Sequence, residues 1–326
     1  MTNPTPIKPI RKRNTDFTMG MDAEFAGFIN NRTVRASTAS LHLTGDKKDE
    51  LVALGGGRYG VDDYVHPFSE ELGADGCGVT FELRSAPSKN PLEIVADIYD
   101  IFQRNVSRNP KLKNVEFTAG SRYKLQALGG HIHFGVHKGK KEIVKILDNY
   151  LFPLCLSLEK RKDALWRRRS GSDYGFMGGY RDQSYGFEYR PLSSWLTSPY
   201  VAAGVLSIAK VIVFEYINNP TFDWKYRMND GGMYQEYVDA GWSQHDAPFH
   251  GHIYDKIKAF DKTPIFDDIK KMSMYSVFKP YIDVIEFLNK NNLTWFPKCS
   301  MKEAWGIVNV KKLKSKQITL EQIWKD

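Results

Sequence analysis

Four short stretches of this chain share one pattern, which restricts the possible folds more than any other feature. Each alternates with period two, so that apolar side chains fall on one side and a few acids, histidines or arginines fall on the other. In residues 17–25, Asp22 and Glu24 oppose Met21, Ala23 and Phe25. In residues 79–85, Thr80, Glu82 and Arg84 oppose Val79, Phe81 and Leu83. In residues 129–135, His131 and His133 oppose Ile132 and Phe134. In residues 184–190, Glu188 and Arg190 oppose Tyr185, Phe187 and Tyr189. One such strand is an ordinary half-buried strand with a wet polar side. Four predict an α+β fold, a curved antiparallel sheet with a concave polar face and helices packed on its convex, apolar face.

The segments between them supply the helices. Asn90 is placed to cap a helix with Pro91 in its first turn, and Ile94, Val95, Ile98 and Phe102 give that helix a core-facing stripe. Residues 141–169 read as a long helix or a helix pair divided at Pro153. Their basic end (Lys160, Arg161, Lys162, Arg167, Arg168, Arg169) reads as a solvated face from which one or two arginines can reach phosphates. Residues 174–181, rich in glycine and aromatics, read as a loop. Ser198 or Thr197 caps the next helix, whose run from Val201 to Ile217 contains Ser207, Lys210 and Glu215 and so suits a buried helix better than a membrane span. Residues 55–60 lack the lysine and spacing of a phosphate-binding P-loop, and suit a flexible loop or lid. Three regions are expected: a mobile basic arm (1–15), a sheet-bearing domain (16–218) and a helical extension packed on it (219–326). In the extension, Trp224, Tyr226, Met233, Tyr234, Tyr237 and Trp242 punctuate a polar background.

Composition excludes some classes. A hydrophobic content of 42% with 13% aromatic residues rules out wholesale disorder. Cys77, Cys155 and Cys299 are too scattered for a disulfide framework or a zinc knuckle, so a reducing cytoplasm is expected. The polar, proline-rich N-terminus has no apolar signal-peptide segment, and no association with membrane is expected. A formal charge of +8 suits an anionic partner such as a nucleotide, an acidic substrate or nucleic acid, and equally suits a solvated basic surface.

The polar face gathers Asp22, Glu24, Glu82, Arg84, His131, His133, Glu188 and Arg190, with Asp75 at a strand entrance. Buried histidines need hydrogen-bond partners or a metal. Carboxylates crowded on one face repel each other unless cations lie among them. Mostly oxygen donors with imidazole favour Mg²⁺ or Mn²⁺ over zinc, and such ions commonly bridge phosphate oxygens, whose charge the neighbouring arginines can balance.

In this order, Asp22-x-Glu24, Asp75 to Glu82-x-Arg84, Gly-Gly-His131-x-His133 and Tyr-Gly-Phe-Glu188-x-Arg190 resemble the carboxylate–amine ligase superfamily of glutamine synthetase and glutamate–cysteine ligase, and especially its phage-encoded amidoligases. The resemblance covers roughly residues 17–218, making that domain the catalytic one. It implies a glutamine synthetase-like fold and an ATP- and Mg²⁺-dependent ligase joining a carboxylate substrate to an amine substrate through an acyl phosphate. It also implies metal ligation by Asp22, Glu24, Asp75, Glu82, His131 and Glu188. His133, Arg181 and Arg190 would contact nucleotide or substrate, and Arg190 would act at the transferred phosphoryl, with Glu82 and Arg84 completing the catalytic set. Asp75 departs from the glutamate more common in the larger enzymes. If phage-encoded, the protein would work in the host cytoplasm. Two other readings stay open: phosphotransfer on the same architecture, and a non-catalytic basic protein associated with nucleic acid, which the ligase reading permits but does not require.

Overall fold

The computed structural model describes residues 15–36, 72–74, 79–104, 112–169, 175–224, 251–296 and 300–307. The basic arm before residue 15, the glycine loop 55–60, Asp75, Cys77, Cys299 and the aromatics from Tyr226 to Trp242 lie outside the described residues.

Ten strands are present among the described residues: β1 (Met19–Ile29), β2 (Arg32–Val34), β3 (Leu72–Ala74), β4 (Phe81–Arg84), β5 (Glu116–Thr118), β6 (Arg122–Tyr123), β7 (Gln126–Ala127), β8 (Gly130–Phe134), β9 (Tyr180–Gln183) and β10 (Gly186–Tyr189). The main sheet runs β3-β4-β1-β8-β10-β9 with every neighbouring pair antiparallel, and β2 and β5 pair with the far half of β1. Its two ends do not join, so the sheet is open. Strands β6 and β7 form a separate hairpin.

Alternation dictates what each face holds. Phe25, Phe81, Ile132 and Phe187 are fully buried on the apolar face. Phe25 stacks on Phe81, and Phe134 on Phe187, each pair with ring centroids 5.2 Å apart. Burial of each such ring contributes about 1.5–3 kcal/mol, and truncating one to alanine costs about 3–5 kcal/mol. Helix α1 (Pro91–Phe102), capped by the Asn90 side chain as its sequence predicts, packs on β4 and on the long helix described below. The mixed class is therefore α+β, as the alternation requires.

The basic stretch departs from its expected form. It is three short helices, α2 (Lys140–Tyr150), α3 (Phe152–Leu156, with Pro153 in its first turn) and α4 (Arg161–Arg167). Its end is not all a solvated face. Arg167 and Arg168 are fully buried. Arg167 donates to the carbonyls of Leu128 and Leu192 at 3.1 and 3.0 Å. Arg168 grips both carboxylate oxygens of Glu159 at 2.9 and 2.8 Å and donates to the Gly175 carbonyl at 2.6 Å. Ser121 gives Glu159 a further hydrogen bond of 2.7 Å. The sequence pattern shows the charge of these arginines but not the distant acceptors that bury them.

Helix α5 (Pro199–Asn218) starts at Ser198, whose hydroxyl accepts from the Val201 amide, and is buried along most of its length. It is long and apolar enough to cross a membrane, but 83% of its most apolar window is covered by the rest of the protein, as a core helix would be. The Lys210 ammonium inside it is held by the Asp16 carboxylate and the Phe17 carbonyl and lies 3.9 Å from the Phe17 ring centre. The chain thus enters the sheet pinned to this helix. Helices α6 (Gly251–Ala259), α7 (Thr263–Lys271), α8 (Tyr275–Lys290) and α9 (Met301–Ile307) follow, with α8 lying along α5. Thr197 donates to the Trp295 carbonyl at 2.7 Å and Trp305 to the Leu196 carbonyl at 2.7 Å, fixing this part to the start of α5.

Candidate active site

The register assembles the polar face row by row. Asp22 lies opposite Arg84 on β4 and opposite His131 on β8. Glu24 lies opposite Glu82. Glu188 lies opposite His133 on one side and Arg181 on the other. Directly paired residues point to the same side of a sheet, so Asp22, Glu24, Glu82, Arg84, His131, His133, Glu188 and Arg181 share one face. Asp22, Glu24, Glu82, His131 and Glu188 are all buried there.

Within that face one knot is tightest. Asp22, His133 and Glu188 each bring a ligand atom within 4.8 Å of the others. His133 Nε2 lies 3.1 Å from Asp22 Oδ1, and His131 Nδ1 lies 3.3 Å from Asp22 Oδ1 and 3.2 Å from Glu188 Oε1. The resemblance assigns the metal to His131 and substrate or nucleotide to His133; the structure brings both rings to the same two carboxylates. Glu24 accepts the Gly129 amide at 2.9 Å through Oε2. A side chain at Gly129 would put its Cβ 2.5 Å from His131 Nε2, so glycine at this position makes room for the imidazole.

The electrostatics agree with the crowding. Burial pushes the Asp22 carboxyl upward, but His133 and His131 beside it outweigh that and hold it well below the usual carboxylate range. Burial opposes a charge on His133, yet Asp22, Glu188 and Glu82 together raise its pKa above the ordinary histidine value. A positive charge is wanted at this point. Despite the short distances, Asp22 Oδ1, Glu188 Oε1 and His133 Nε2 are buried without a well-formed hydrogen bond among the described residues. Buried oxygens normally have donors. Two carboxylate oxygens and an imidazole nitrogen within 4.8 Å of one another fit a divalent cation of the Mg²⁺ or Mn²⁺ type.

Arginines ring the knot. Arg181 reaches Glu188 Oε2 at 2.7 and 2.6 Å, Arg190 Nε lies 3.3 Å from Glu188 Oε1, and Arg84 Nε lies 2.6 Å from Glu82. Arg190 follows the last residue of β10 and is partly exposed. Arg181 stands on β9, a strand lying where the sequence pattern suggests a loop, because glycines and aromatics mask its alternation.

Tyr185 corrects the sequence reading. Placed with Phe187 and Tyr189 by alternation, it sits instead in the turn between β9 and β10 and lies over the polar face. Its hydroxyl is 2.7 Å from His133 Nδ1, and the two rings stack 5.6 Å apart. The cause is Gly186, whose φ of +154° breaks the alternation. With the proton on His133 Nδ1 and donated to this hydroxyl, the Nε2 lone pair is left facing Asp22, the form a cation requires.

Sequence reasoning also missed Asp148. It lies fully buried on α2, accepting from the Tyr189 hydroxyl at 2.8 Å and the Gly178 amide at 2.5 Å. Burial raises its pKa to about 8, despite those two donors. Its signal was available: Val144, Asp148 and Leu151 keep helical spacing, so the acid occupies an apolar stripe.

Fold and face together define an α+β protein whose open antiparallel sheet offers buried acids, imidazoles and arginines to a cation. The chain belongs to the phage phiEco32-like COOH.NH2 ligase, type 2, family, whose model matches residues 19–307. It is by family a carbon–nitrogen ligase that joins a carboxylate to an amine. The match extends through α6 to α9 as well as the sheet. No curated protein matches. Among solved structures, the complex of the prokaryotic ubiquitin-like protein Pup with its ligase PafA is similar at 11% identity and a TM-score of 0.46, over 86% of this chain and 67% of that one. A bifunctional glutathione synthetase from Pasteurella multocida is similar at 12% identity and a TM-score of 0.36, over 92% of this chain, which spans about half (52%) of that protein.

Proposed function

We propose that this ligase is ATP-dependent and works through an acyl phosphate. The observation that carries the reading is the buried Asp22–His133–Glu188 knot, short of hydrogen bonds and ringed by arginines, in a member of a carboxylate–amine ligase family. A substrate carboxylate takes the γ-phosphoryl group of ATP, releasing ADP. The amine then attacks the carbonyl carbon, phosphate leaves with the C–O bond electrons, and the amine gives up a proton. Asp22, His133 and Glu188 would hold Mg²⁺, with His131 and the acids Glu24 and Glu82 beside them. The ion supplies charge neutralisation and orientation of phosphate oxygens.

The chain's own residues supply the rest. Arg190 and Arg181, both drawn toward Glu188, are placed to swing a guanidinium onto the transferring phosphoryl, whose charge spreads over its oxygens. Arg84 holds Glu82 in place at the other side of β1 and presents a cation to the carboxylate. Tyr185 fixes the His133 ring. Such chemistry relies on positioning and electrostatics and needs no covalent nucleophile. Cys155, buried in α3 with its thiol pushed up by burial and by Glu159, is suited to packing alone.

The test is incubation of the purified protein with ATP, Mg²⁺ and pooled amino acids and short peptides, followed by mass spectrometry. New species equal to a carboxylate plus an amine less one water, formed with ADP and phosphate, are expected. ADP formation with a phosphorylated acceptor and no coupled product would establish phosphotransfer instead.

A further inference from the structure

One position in the middle of the polar face carries no side chain. Gly20 stands on β1 in the same alternating row as Asp22 and Glu24, directly opposite His133. A Cβ added there would lie 3.7 Å from the His133 Cβ and 4.0 Å from the Pro87 Cβ, which is ordinary van der Waals contact. Its φ lies outside the left-handed region, so the backbone does not call for glycine either. Gly129 differs, since a Cβ there would strike His131. What glycine does at position 20 is leave room.

The room is a cavity of about 260 Å³. Gly20 forms its floor, Arg84 and Pro87 stand on the β4 side, His133 and Tyr185 on the β10 side, and Asp22 closes the end nearest the knot. Most of the surface it offers is carbon. Charge is concentrated in the Asp22–Arg84 row, one step along the strand from Gly20. Its volume is just below the usual range for whole small-molecule sites, and suits a side chain better than a nucleoside.

We propose that this cavity receives an apolar side chain of the carboxylate substrate, and that Gly20 sets its depth. The inference rests on the ligase reading of the site. A carboxylate entering with its apolar group over Gly20 meets the Arg84 guanidinium beside Asp22, at the edge of the knot. Gly20 is thus a specificity-determining residue, and the preferred acyl donor carries a branched aliphatic or aromatic side chain.

Binding can be read without turnover. Ligand-observed NMR on the whole protein, with Mg²⁺ and ADP present, would use N-acetyl-leucine, N-acetyl-phenylalanine and N-acetyl-glycine as probes. At least one of the first two is expected to bind about tenfold or more tightly than N-acetyl-glycine. Gly20→Val is expected to remove that advantage, with ATP affinity changed less than about threefold and Gly20→Ala intermediate. Melting curves of both variants report whether the fold survives, and the wild-type probe series stands if Gly20→Val fails to fold. Equal affinity for all three probes, no binding of either apolar probe, or loss of ATP binding with the apolar preference intact would overturn the proposal. Absence of coupled product in the mass-spectrometric assay would count against the ligase chemistry and leave this binding result unaffected.

Discussion

Two clusters of charge in this molecule are both buried and are built differently. Around Glu159, Arg168 meets both carboxylate oxygens, Ser121 adds a hydroxyl, and neighbouring carbonyls take further guanidinium hydrogens. Around Glu188, Asp22 and two imidazoles crowd together, and Asp22 Oδ1, Glu188 Oε1 and His133 Nε2 make no well-formed hydrogen bond among the described residues. The first cluster is complete by itself and holds helix to loop. The second gathers ligand atoms of Asp22, His133 and Glu188 within 4.8 Å of one another, the arrangement on which the proposed cation site rests. Buried charge alone therefore does not single out a candidate site; convergence of ligand atoms without well-formed hydrogen bonds does.

The largest expected effect breaks the incomplete cluster. Glu188→Gln keeps volume and removes a hard anionic ligand, so ATP-dependent coupling should fall by about a thousandfold. Stability should change by less than about 1 kcal/mol, because relief of repulsion offsets the lost arginine contacts. Coupling rates and urea denaturation measure the two numbers, and wild-type turnover in the folded variant would remove Glu188 from the site.

The complete cluster should show the reverse. Arg168→Met strands Glu159 as a buried charge and is expected to cost about 3–5 kcal/mol in urea denaturation. The double variant with Glu159→Gln should recover much of that loss. If the single variant is as stable as wild type, the two clusters do not differ in the way described.

Arg190→Lys probes the boundary between them. Lysine keeps the charge and loses the planar fork, so kcat should fall about a hundredfold while ATP affinity changes much less. An unchanged kcat in steady-state kinetics would make the Arg190–Glu188 contact a purely structural pair.

A finer test sets Glu159 against Asp148. Burial pushes both upward, but Arg168 holds Glu159 below its ordinary value while Asp148, held only by the Tyr189 hydroxyl and the Gly178 amide among the described residues, rises to about 8. The folded state keeps the Asp148 proton between roughly pH 4 and 8 while the unfolded chain has lost it. Its contribution to stability therefore falls as pH rises through that window, with a ceiling of about 1.4 kcal/mol per pH unit. For Glu159 the sign reverses: its contribution is present above the unfolded pKa and is lost as acid protonates it. Unfolding curves at pH 5, 6.5 and 8 should show the Asp148 slope in wild type and not in Asp148→Asn. Identical slopes in the two proteins would show that Asp148 does not hold its proton.

How far the sequence reveals all this depends on whether the deciding partners are local. Strands β1, β4, β8 and β10 are legible because acids, histidines or arginines at alternate positions oppose apolar residues. Asp22, Glu82, His131 and Glu188 share a face for that reason alone. Tyr185 is not legible, since the turn at Gly186 resets which side it occupies. Arg167 and Arg168 read as surface charge because their acceptors at Leu128, Leu192 and Glu159 belong to other elements. The nearness of His133 to both carboxylates likewise depends on strand neighbours that no local pattern names. Asp75 remains an expectation of the resemblance, outside the described residues.

The grip of Lys210 on Asp16 and on the Phe17 carbonyl limits how far the chain can be shortened. That ammonium is fully enclosed, and burial already lowers its pKa. Trimming by a protease or by design that stops at Thr15 leaves its partner in place. Removal of two residues more, through Phe17, would leave the cation stranded inside α5 and loosen the entry to β1, three residues before Gly20 and five before Asp22. The lysine's reach thus sets a limit on N-terminal trimming well before the first residue of the site.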